Sequence, residues 1–185
     1  MITDSTLSQN ERKFAIDYLE KTQIRFLDAI KDLNEAQLNY KADENTWSVM
    51  ECAEHITLTE IGFFKMAQGA LQKNEDLKKR NEIKVNEQQI IQRLTNRTWK
   101  AKSPEVVKPS GKFQSIEQIR EAFATQRQKT MEYLQNTQDG LHTHFSAHPA
   151  VGTVDVYLLL IVMTAHCERH IDQILEIKSN KGFPK

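Results

Sequence analysis

The chain has 185 residues, enough for one domain spanning 1–185 around one sizeable core. Its 25 basic and 25 acidic side chains cancel, which argues against a general electrostatic hold on nucleic acid or on an anionic membrane. Cys52 and Cys167 form no paired motif, so no disulfide framework is expected. The polar N-terminal stretch lacks the layout of a secretory signal, and the longest apolar run, Val156 to Met163, falls far short of the roughly 20 residues that a span requires. The expectation is a soluble, cytoplasmic protein with no nucleic-acid or membrane partner.

With 6 glycines and 4 prolines, the composition suits long helices better than many short strands. In chain order, the first helix is expected from about Asn10 to Leu33. There Ile16, Leu19, Gln23, Phe26, Ile30 and Leu33 keep an alternating three- and four-residue spacing that lays one seam along a helix. A loop, "NEAQLNYKADENT", follows. Ser48 with Glu51 three residues later predicts a capping box, opening a second helix that runs to about Leu71 through Ile56, Leu58, Phe63, Phe64 and Met66. From Gln72 to Lys112 the pattern weakens to a short helix at "EQQIIQRLTNR" and a loop at "SPEVVKPSGK". Connections of that length often cover a site or an interface. A third long helix starts with Ser115 as N-cap and runs to about Gln138. "HFSAHPAVGT" reads as a turn, and a last helix with Asp155 in its first turn ends near Lys178. The fold class is therefore all-α, a four-helix bundle with a long connection between the second and third long helices.

The histidines interrupt this pattern. At roughly 100° per residue, His166 shares a face with Asp155, Leu159, Val162, His170, Gln173 and Ile177, so "AHCERH" aims two imidazoles at the interior with Arg169 at the margin. His55 shares a face with Ser48, Glu51, Thr59, Gly62 and Met66 and is also expected to point inward, with Gly62 leaving room for a close neighbour. Buried imidazoles need partners. Either each is neutral and hydrogen-bonded on its own, or the i,i+4 pair converges on a metal ion with His55 as third ligand, an arrangement that leaves a coordination position open.

The stretches "TWSVMECAEHITLTE", "KAKSPEVVKPSGKFQSIEQIREAFATQRQKTMEYL" and "GTVDVYLLLIVMTAHCERHIDQIL" resemble the DinB/YfiT-like superfamily of metal-binding four-helix proteins, in order and over nearly the whole chain. The resemblance implies that His55, His166 and His170 bind one divalent metal. It also implies a DinB-like, metal-dependent enzyme acting on a small-molecule substrate, a hydrolase or a thiol-dependent S-transferase, and often a homodimer. Zinc or nickel suits an all-imidazole site best, and a low-molecular-weight thiol could serve as second cofactor. The alternative is a non-catalytic metal-binding stress-response protein with a structural ion. Among other residues, His148 in "HP" either reaches the site mouth or is an ordinary turn residue. His142 and His144 are expected in solvent, and Glu51 as a cap rather than a partner of a ligand ring. Cys52, Cys167, Trp47 and Trp99 are expected to pack. No second catalytic group is evident, so catalytic residues stay unassigned.

Overall fold

The structure is a computed structural model that describes residues 5–98 and 107–185. Four long helices form it: α1 (Gln9–Ala29), α3 (Val49–Leu71), α5 (Ile116–Asn136) and α6 (Val156–Lys178), with shorter α2 (Glu35–Asn39) and α4 (Glu87–Thr95). α6 packs against both α1 and α3, and α5 packs against the same two from the other side, so α1 and α3 sit diagonally across the bundle. α4 lies outside this square, against α6. α6 is thus flanked on three sides, and its apolar run from Val156 to Met163 is buried throughout.

Local chemistry sets the boundaries. α1 opens on a reciprocal box between Ser8 and Glu11, and α3 on the expected one between Ser48 and Glu51. α1 ends at Ala29, short of the expected Leu33, because Asp32 takes a left-handed conformation at φ 54°. Aspartate tolerates that region better than most residues. The stretch expected as plain loop after α1 contains α2, capped by Asn34 with Gln37. A further 3-10 helix, Leu77–Glu82, precedes α4. α5 begins after Ser115 as expected and stops at Asn136.

The "HFSAHPAVGT" turn is a small antiparallel hairpin, β1 (Phe145–His148) paired with β2 (Gly152–Asp155), with Gly152 at φ 78°. Asp155 is the N-cap of α6 rather than a first-turn residue: its carboxylate accepts from Leu158 N at 2.8 Å.

The core divides at one level of the bundle. One apolar cluster uses Leu19 of α1, Phe64 of α3, Leu134 of α5 and Ala165 of α6. The other begins beyond them at Phe26, Ile56, Phe123 and Cys167. Between the two lie Thr22, Glu60 and Arg127, all buried, with Arg127 bonded to both of the others. Arg127 donates to Glu60 Oε2 at 2.9 Å and Oε1 at 2.5 Å, and to Leu19 O and Thr22 Oγ1 at 2.7 Å each. These four bonds, two of them to a carboxylate, are what allow a charge at this depth. No helix among the described residues is long and apolar enough to cross a membrane.

Candidate metal centre

At that same level, on the α3–α6 face, the three predicted histidines meet. One ring nitrogen from each of His55, His166 and His170 lies within 4.8 Å of the others. Ring centroids are 4.5 Å apart for His166 and His170, 4.6 Å for His55 and His170, and 5.1 Å for His55 and His166. His55 and His170 are buried, whereas His166 is partly exposed. Helix geometry accounts for this: 166 and 170 stand one turn apart on α6, and α3 is its direct neighbour.

The rings are held in defined tautomers. His55 Nδ1 lies 2.6 Å from the carbonyl oxygen of Val107, and His170 Nδ1 lies 2.8 Å from Gln173 Oε1. Oxygens that only accept require Nδ1–H on both rings, which leaves each Nε2 with a free lone pair. His166 Nδ1 is buried with no hydrogen-bond partner.

All three rings are pushed toward the neutral form. Burial lowers the pKa of His55, against a small upward pull from Val107. Burial and then His55 take His170 down to about 3. Burial, followed by His170, His55 and His148, holds His166 well below its usual range. Neutral rings with lone pairs are what a cation needs. Nitrogens around one tetrahedral zinc, bound at roughly 2.0–2.1 Å, stand about 3.3 Å apart. A shift on the order of an ångström would bring these three together around an ion, and a cation would satisfy the buried, unpartnered His166 Nδ1. The donor set fits a divalent metal.

Among the described residues no Cys, Asp or Glu joins the three histidines as a fourth ligand. Cys52 and Cys167 are free and buried, and burial raises both thiols, Cys167 to about 12, so they pack as expected. Glu51 serves the capping box, as expected: it accepts from Ser48 N at 2.8 Å and pairs with Lys41 at 2.7 Å. Arg169 donates to Leu94 O in the last turn of α4 and to Asn96 O at its C-cap.

Other expectations need correction. Trp47 does more than pack: its ring lies 4.7 Å from that of His55 and 5.9 Å from that of His170, forming one wall of the site. Phe63 also borders the site, 6.0 Å from His166 and 5.9 Å from His148. His148 therefore stands near the mouth, its Nδ1 accepting from Ala150 N at 3.3 Å, which leaves Nε2–H free to donate. Met66, expected inside, is 44% exposed. Trp99 lies outside the described residues, as do residues 103–106 of "SPEVVKPSGK". His142 is not solvated. It is buried between Asp155 at 2.9 Å and Glu11 at 3.3 Å, and the Asp155 hydrogen bond is the main cause of its raised pKa. His144 is half-buried and bonds to Gly140 O at 2.9 Å and Lys73 O at 3.1 Å. No sequence pattern announces the carbonyl of Val107, since any residue supplies one.

Helical bundles that converge three histidines from facing helices on one interior point form a recognisable class of metal-competent fold. The chain belongs to the DinB superfamily, whose family model matches residues 18–174. It is 23% identical over 149 residues to the uncharacterized protein YuaE of Bacillus subtilis (strain 168), covering 80% of this chain and 88% of that one. Its fold matches YfiT from Bacillus subtilis, described as a "probable metal-dependent hydrolase with an unusual four-helix bundle topology". The TM-score is 0.64 at 13% identity, over 97% of this chain and 92% of YfiT. The resemblance read from the motifs is borne out, and so is the helical fold.

Proposed function

We propose that this protein is a metal-dependent enzyme acting on a small molecule, with His55, His166 and His170 holding one divalent ion, zinc or nickel. The observation that carries the reading is the convergence of three neutral imidazoles with no fourth protein ligand among the described residues. A structural ion is normally enclosed by four protein ligands, whereas a catalytic one keeps a position open. The description of YfiT supports the same reading. The bound ion would supply Lewis acidity and make a coordinated water or thiol more acidic. Hydrolysis and thiol S-transfer, the latter with a low-molecular-weight thiol as second cofactor, are the two reactions this chemistry serves.

The chain's own groups supply the rest. Trp47 and Phe63 bound the site with apolar surface that limits water and receives an apolar part of a substrate. His148 offers an N–H at the Phe63 edge, placed to hold an oxygen of the reacting group. Val107 O and Gln173 Oε1 keep the His55 and His170 rings in the tautomer that leaves Nε2 available.

The test is chelation, followed by turnover of ester, amide and thiol-conjugation panels by metal-free and reloaded protein. Activity that disappears with the metal and returns on reloading, in a protein whose helicity survives, supports the enzyme. Collapse of the fold on chelation, with no turnover by the loaded protein, would identify a structural ion instead.

A further inference from the structure

Glu54, the residue before His55, is 3% exposed, yet among the described residues it pairs with no cationic side chain. Its carboxylate is filled by the backbone of a neighbouring segment. Oε1 accepts from Ser110 N at 3.2 Å and Lys112 N at 2.9 Å, Oε2 accepts from Gly111 N at 3.1 Å, and Ser110 Oγ lies 3.4 Å from Oε1. Three consecutive amides converge on one anion, an arrangement that Gly111 permits by adopting φ 71°. Val107 begins the same segment. Its carbonyl receives the His55 N–H, and its side chain lies over Gly62, where an added Cβ would come within 3.9 Å of Val107 Cγ1. Two consecutive side chains of α3 therefore grip residues 107–112 at both ends.

We infer that Glu54 is a positioning residue for the metal centre: by fixing residues 107–112 it presents the Val107 carbonyl to His55 and so selects the His55 tautomer whose Nε2 faces the ion. This inference rests on the metal-binding reading above. A buried glutamate that served the fold alone could sit against any donor. Here the three amides belong to the segment that orients a ligand ring, and outer partners of metal-bound histidines commonly alter affinity 10–100-fold.

Two variants test it. Glu54→Gln replaces one accepting oxygen by an NH2 group facing N–H donors. Gly111→Ala leaves Glu54 intact and strains the same turn from the other side, since its Cβ would meet nothing within 4 Å and acts only through φ. The readouts are cobalt(II) affinity by visible absorption and the His55 tautomer in metal-free protein by long-range 1H–15N NMR. Expected are Nδ1–H at His55 in the unaltered protein, a mixture of tautomers in both variants, and roughly 10–100-fold weaker cobalt binding for Glu54→Gln, with a smaller loss in the same direction for Gly111→Ala. Cobalt affinity within twofold of the unaltered protein, or an unchanged tautomer with only a lowered melting temperature, overturns the inference. If the unaltered protein binds no cobalt, the metal reading fails instead, and the tautomer arm still decides whether Glu54 orients His55. Should Glu54→Gln fail to fold, Gly111→Ala carries the same two readouts.

Discussion

The Glu60–Arg127 pair offers the sharpest test of how the bundle tolerates a charged layer in its middle. Glu60 and Arg127 side chains are 1% and 0% exposed, so neither ion can recover hydration while the fold persists. Replacing Glu60 by Gln leaves the guanidinium without a counter-charge, although its bonds to Leu19 O and Thr22 Oγ1 remain. Removing one member of a buried pair costs about 3–5 kcal/mol. For a chain of this size that corresponds to roughly 6–20 °C in melting temperature, at about 2–4 °C per kcal/mol. Replacing both, as Glu60→Leu with Arg127→Met, removes the charges together and exposes no uncompensated ion. Thr22 keeps its bonds to Tyr18 O at 2.9 Å and Leu19 O at 3.1 Å. The double variant is therefore expected to lie within about 1 kcal/mol of the unaltered protein or above it. Equilibrium denaturant unfolding of the single and double variants measures both. A loss under about 1 kcal/mol for Glu60→Gln, or a double variant no better than the single one, would refute the reasoning.

Three further outcomes follow from the structure. In metal-free protein the depressed pKa of His170 means the unfolded chain takes up a proton first. Its contribution to stability is full above pH 6.5 and falls by up to about 1.4 kcal/mol per pH unit toward about pH 3, so His170→Gln should show a shallower acid slope in pH-dependent urea unfolding. His142 behaves oppositely: its folded pKa is raised, so its contribution is present below 6.5 and is lost as pH rises through the folded value. His142→Asn should lose stability near pH 6 and little well above neutrality. Ser48→Ala removes the cap that starts α3, the helix carrying His55, and should cost about 1 kcal/mol by denaturant titration. An unchanged midpoint would show that the box contributes nothing there.

Much of this architecture was legible because its signals are local or periodic. Ser48 and Glu51 mark the start of α3 by themselves, and the count from His166 turns His170 inward with no reference to the rest of the chain. The departures share a different origin. His142 reads as loop because nothing in "GLHTHFSAHPAVG" reveals that Glu11, far away in sequence, packs beside Asp155. Trp47 precedes a helix cap and so reads as a packing residue; only the crossing of α3 and α6 places its ring against two histidines. Glu54 looks like a surface acid until residues 107–112 fold over it.

Metal stoichiometry measured by mass spectrometry and calorimetric titration addresses the heart of this account, using the unaltered protein and His55→Ala, His166→Ala and His170→Ala separately. One tightly held divalent ion per chain, lost in each of the three variants while helicity by circular dichroism persists, is the predicted result. Retention of the ion in any one of them, or no ion in the unaltered protein after exposure to zinc and nickel, would contradict a shared centre.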